Sequence, residues 1–95
     1  MRYMMLIYSQ ETPDGADPHD REEIRAAHGR VMLEATQKGV LLGAEPLSPT
    51  VTATTVRMHD GKAFVTDGPF AETKESLAGY YVMECQDLDD AIEWA

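Results

Sequence analysis

The sequence has one cysteine, Cys85, so an intramolecular disulfide is excluded. Cys85 sits in an apolar run where a small buried thiol is at home, and a cytoplasmic, reducing location is expected. Basic residues are also scarce: eight Lys and Arg face 17 Asp and Glu, a formal charge of −9. So acidic a chain repels phosphate backbones and anionic lipid, which argues against direct nucleic-acid or membrane-surface binding. Long apolar runs are missing too. The run in "MRYMMLIY" falls far short of the roughly 20 residues of a membrane span and lacks a cleavage site.

Internal repeats and low-complexity segments are absent. Glycines 39, 43, 61, 68 and 79 are scattered at turns and build no phosphate-cradling loop. His19 and His59 have no second ligand at metal spacing, and Asp17 to Asp20 lacks a calcium-loop pattern. No metal and no cofactor is expected.

What remains is ordinary globular material, 43% hydrophobic and 26% charged over 95 residues. That suits one domain, 1–95, in which folding buries only about 60 to 65% of the unfolded chain's surface. Residues 3 to 8 are apolar at every position, as in a central strand covered on both faces. A loop follows over 9 to 19. Asp20, with Glu23 three residues on, predicts a capped helix start, and Gly39 its end. Ile24, Ala27, His28, Val31 and Ala35 make its apolar stripe.

Residues 40 to 50 read as a short strand broken by Gly43 and two prolines. A hairpin follows, with 51 to 58 and 62 to 66 joined at Asp60-Gly61. After a loop over 67 to 78, "YYVMEC" at 80 to 85 is a second strongly apolar strand. Asp87 then caps a helix whose stripe is Leu88, Ala91, Ile92 and Ala95. The whole is an α+β chain with a ferredoxin-like sheet and two helices on one face; that plan has one more strand after the last helix, so either the strand is absent or, as expected, this chain is shorter than the natural one. Two helices cover one face of a four- or five-stranded sheet, so the other face is expected to pack on a second copy, as a homodimer.

The stretch "TDGPFAETKE" is an unusual strand exit. Pro69 biases Gly68 away from the α region and ends strand pairing, Gly68 allows a tight path, and Phe70 can pin the loop by burial. Its simplest reading is a rigid turn with Asp67 bonding its own backbone. His28 on an apolar stripe is most often a hydrogen-bonded core residue, and it is also the best candidate base. Arg25, Arg30 and Lys74 are the cations that could hold an anionic substrate, although solvated surface charge explains them more simply. Tyr8, Tyr80 and Tyr81 either line a pocket or fill a sheet interface.

"VTDGPFAETKESLAGYY" at 65 to 81 strongly resembles the DGPF-motif branch of the YCII-related family. The resemblance extends through "MLIYSQE", "AHGRVMLEATQKGVLLGAEPLSPTVTATTVRMHDGK" and "DLDDAIEWA", nearly the whole chain. It implies a ferredoxin-like fold forming a dimeric α/β barrel, with acid-base chemistry by a His-carboxylate pair in the wider family. His28 looks like that His, and the carboxylate either corresponds to Asp67 or lies beyond Ala95. Many relatives lie beside genes for extracytoplasmic-function sigma factors, which suggests sigma-factor association.

Two functions are carried forward. One is a small-molecule enzyme or binding protein, with catalytic His28 and Asp67 and a pocket formed by Tyr8, Gly68, Pro69, Phe70 and Tyr81. The other is a non-catalytic regulatory module that contacts a sigma factor.

Overall fold

A computed structural model describes residues 1–11 and 22–95. The elements in chain order are β1 (Arg2–Ser9), α1 (Glu22–Gln37), β2 (Leu41–Pro46), a 3-10 turn (Thr50–Thr52), β3 (Thr54–His59), β4 (Lys62–Asp67), β5 (Ser76–Glu84) and α2 (Leu88–Trp94). Asp20, the expected cap of α1, lies outside the described residues.

The expected α+β class holds, and two helices with antiparallel sheets are consistent with a ferredoxin-like fold. The sheet itself is divided. β5 is central in a three-stranded antiparallel sheet of order β1-β5-β2, while β3 and β4 form a two-stranded sheet of their own. The sequence reading of one four- or five-stranded sheet is therefore corrected. β2 ends at Pro46, just before the Leu47 N–H donates to the Ala78 carbonyl of β5 at 2.8 Å, and the 3-10 turn at Thr50–Thr52 follows before β3 begins. That turn also takes the first residues of the strand expected from 51, with the Ala53 N–H donating to the Thr50 carbonyl at 3.0 Å.

The hairpin turn is as expected. Asp60 and Gly61 have φ of 50° and 76°, the positive pair that a two-residue turn between twisted strands requires.

β1 is an edge strand, not the central one expected. Its burial alternates: Tyr3, Met5 and Ile7 are half-buried, whereas Met4, Leu6 and Tyr8 are 60%, 51% and 54% exposed. The inner face packs into one cluster with Ala35 of α1, Tyr81 and Met83 of β5, Cys85, and Ala91 of α2. Both helices thus cover the same side of the sheet. Ala35 and Ala91 meet it with methyl groups alone, which lets both helices come close. Burying Met83 completely is worth about 1.5 to 3 kcal/mol before entropy is counted.

The stripe of α1 is narrower than the sequence suggested. Ile24, His28, Val31 and Ala35 turn inward, and Ala27, roughly 60° round the helix from Ile24, is exposed. Gly39 ends the helix as expected: it has φ 72°, its N–H donates to Thr36, and the Val40 N–H donates to Ala35, both at 3.0 Å.

In α2 the stripe is rotated. Ala91 is buried and Trp94 half-buried, while Leu88, Ile92 and Ala95 are exposed. The larger indole, with Lys38 Nζ 5.3 Å from its ring centre, takes the inward position. Asp87 caps α2 as expected, accepting from the Asp90 N–H at 2.9 Å.

β2 and β5 approach most closely at Gly79. A Cβ built there would stand 2.8 Å from the Glu45 carbonyl oxygen and 3.4 Å from Pro46 Cα, with backbone on both counts. Gly79→Ala should therefore cost about 1 to 3 kcal/mol, as overpacked sites do, measured as a lower urea midpoint at unchanged slope.

Candidate functional site

Small residues on facing elements leave a void between α1 and the sheet. A cavity of about 320 Å³ lies there, lined by Arg25, His28, Gly29 and Met32 of α1, Ile7 of β1, Ala44 to Pro46 of β2 and Gly79 to Tyr81 of β5. Its size is within the usual range of small-ligand sites. Gly29, Ala44 and Gly79 supply no bulk to fill it, and a Cβ on Gly29 would meet nothing within 4 Å. Glycine inside a helix costs about 1 kcal/mol relative to alanine, so the open space at Gly29 is kept against helix propensity.

Strand alternation sorts the rest of the lining. Ala44 and Tyr81 are directly opposite each other, and Tyr81 belongs to the helix-side core. The next pair, Glu45 and Tyr80, falls on the other face. The pocket therefore meets their backbone first.

The polar centre is a pair. His28 Nδ1 lies 2.6 Å from Tyr81 Oη, and the two rings stack with centroids 5.8 Å apart. Tyr81 is only 8% exposed, and burial pushes its phenol above the ordinary range. The phenol can donate to Nδ1, an arrangement in which the imidazole carries its own proton on Nε2. The partner at Nδ1 is thus a phenol.

The other residues singled out in the sequence are elsewhere. Asp67 is exposed at the end of β4, opposite Thr54. Gly68, with φ 101°, donates its N–H to the Ala53 carbonyl at 2.7 Å and accepts from Thr55 Oγ1 at 2.8 Å. Phe70 is 80% exposed, so burial does not pin the loop as expected. The Arg57 guanidinium instead lies over its ring, 5.4 Å from the centre.

Gly68 and Pro69 line a second, more polar cavity of about 470 Å³ together with Glu11, Thr50 and Lys74. Glu11 shapes it by accepting from both the N–H and Oγ1 of Thr50 at 2.7 Å. Tyr8 and residues 67 to 70 are not among the described residues that line the His28 cavity. Of the three cations considered, Arg25 alone joins His28; Lys74 borders the second cavity.

The Gly29, Met32 and Ala44 contributions were missed from the sequence. A signal existed: Arg25, Gly29 and Met32 fall at i, i+4 and i+7 beside His28. Among the described residues no three His, Cys, Asp or Glu side chains gather to hold a metal ion, and no helix is long and apolar enough to cross a membrane.

An α+β domain carrying an imidazole-phenol pair in a helix-sheet pocket is thus the class that fold and site define. The model of the YCII-related domain matches residues 1–95. An uncharacterised protein of Rhizobium meliloti is 36% identical over 96 residues, covering 100% of this chain and 77% of that protein. The chain belongs to the YCII-related domain family.

Tyr81 makes a pH test of the site. A phenol whose titration range is raised in the folded state stabilises that state below about pH 10, where the unfolded chain is still protonated. The contribution is lost as pH rises through the folded range. Tyr81→Phe should cost about 1 kcal/mol at pH 7, and the gap between variant and parent should narrow above about pH 10, read by urea unfolding at each pH.

Proposed function

We propose that the His28 pocket binds a small organic molecule and moves a proton on it, imidazole and phenol acting as one acid-base pair. The observation that carries this is the 2.6 Å contact between Nδ1 and Oη inside a 320 Å³ cavity. Oη takes a proton from the bound molecule while its own proton passes to Nδ1. The pair ends as phenol and imidazolium, and the ligand as an anion. Returning the proton to another ligand atom completes an isomerisation, or releases a leaving group in a lyase-like step. Burial keeps the phenol neutral at both ends of the cycle.

The chain is taken as one domain of the DGPF branch, on the strength of "VTDGPFAETKESLAGYY", and as cytoplasmic, where the buried free thiol of Cys85 stays reduced. Burial first, and the nearby Asp90 carboxylate second, push that thiol upward and leave it unreactive. A second copy covers the outer sheet face, where Met4, Leu6 and Tyr8 are exposed on the side away from both helices, completing a dimeric barrel. Sedimentation at micromolar concentration should give twice the chain mass, and Leu6→Asp should halve it; a monomeric parent protein refutes the dimer.

The competing reading is a non-catalytic module that contacts an extracytoplasmic-function sigma factor. It makes no demand on the imidazole. A thermal-shift screen of small organic compounds should find binders that raise the melting temperature of the parent protein. His28→Gln should reduce that rise at least tenfold in ligand concentration while the fold persists. Equal shifts in parent and variant would favour the regulatory module.

A further inference from the structure

We infer that Gly29 sets the size limit of the pocket's ligand, an apolar body of about one ring that lies against bare helix backbone at that residue. This rests on the reading of the pocket as a ligand site and names the ligand's shape and the residue that selects it.

Each of the other described glycines has a structural reason. Gly39, Gly61 and Gly68 have positive φ, where a side chain would be strained. Gly43 stands at the register shift in the pairing of β2 with β5, and Gly79 meets the Glu45 carbonyl. Gly29 has none of these. It lies well inside α1, its φ is not positive, and a Cβ there meets nothing within 4 Å among the described residues. Alanine would hold that turn of helix better, so folding alone has no use for glycine here. The use that remains for a residue without a side chain is close approach of the backbone to a ligand.

Its place fits that use. Gly29 follows His28 directly and, with Met32 three residues on, lines the α1 wall of the cavity. Facing them are Ile7 of β1 and Ala44 and Pro46 of β2, so the walls around the imidazole-phenol pair are chiefly hydrocarbon. An apolar body suits such walls, since the gain scales with the apolar surface removed from water. The volume of about 320 Å³ is roughly ten water molecules' share of the liquid, which admits one ring and a short substituent. At Gly29 the boundary is backbone alone. A single methyl group there shortens the space by about one carbon.

The test titrates the isotope-labelled full chain with uncharged 4-alkylbenzamides, from benzamide to 4-pentylbenzamide, so that only length varies. The amide signals of Ala44 and Gly79 should shift. Each methylene should tighten binding about fourfold until the cavity is full, beyond which affinity falls. Gly29→Ala should move the tightest-binding member down by about one carbon and Gly29→Val by about two, while Gly29→Ala raises the urea midpoint of the free protein. An unchanged ranking of the probes, whatever their affinity, overturns the assignment to Gly29 while the pocket stands. A lowered midpoint in Gly29→Ala puts a packing role there and likewise overturns it. No shift of the Ala44 and Gly79 amides with any probe overturns both readings.

Discussion

The approach of β2 to β5 at Gly79 sets the distance on which the rest of the molecule depends. With backbone 2.8 Å from any Cβ there, β5 is clasped between two strands from Gly79 to Met83. Clasping fixes the rotation of the strand, so Tyr81 and Met83 must point to the helix side and Tyr80 and Val82 to the other. Met83 then anchors the core under Ala35 and Ala91, and Tyr81, two residues earlier, reaches the imidazole. Core and site are two ends of one strand face. A slip of one residue would lose both at once.

The same constraint explains why the sheet is apolar on both sides although both helices lie on one. Among the described residues the hairpin does not join this sheet, and Met4, Leu6 and Tyr8 on its second face are exposed. Side chains of the hairpin such as Val56, Met58, Phe64 and Val65 are themselves exposed. Isolated two-stranded ribbons are marginal in water, so the second copy proposed above would stabilise hairpin and outer face together.

How much of this could be read from residue types follows from the range of each signal. Local signals were accurate: the Asp60-Gly61 turn, the Gly39 terminator and the Asp87 cap each depend on a few neighbouring atoms. Signals that depend on what a face meets were less so. Continuous apolarity in residues 3 to 8 looks the same in a central strand and in an edge strand with an uncovered side, and β1 is the second. The stripe of α2 was assigned to the aliphatic Leu88 and Ile92, but Trp94 buries more area per residue and won the inward position. His28 was legible as a half-buried residue from its place on a helix stripe. Its partnership with Tyr81 was not, because 53 residues separate them and only the register of β5 decides which of two adjacent tyrosines faces inward.

A phenol in place of a carboxylate beside Nδ1 changes what the site can do. A carboxylate would fix one tautomer and add charge to a half-buried position of an already acidic chain, where desolvation costs several kcal/mol unless fully paired. A phenol both donates and accepts, so it can yield its proton to Nδ1 and take another without leaving a bare charge on itself. Both states of the pair tolerate burial, and the elevated phenol range ensures that tyrosinate never accumulates near neutral pH. In the proposed transfer two charges would appear together, the imidazolium and the newly anionic ligand, and their attraction would offset part of the cost of making both in an apolar cavity.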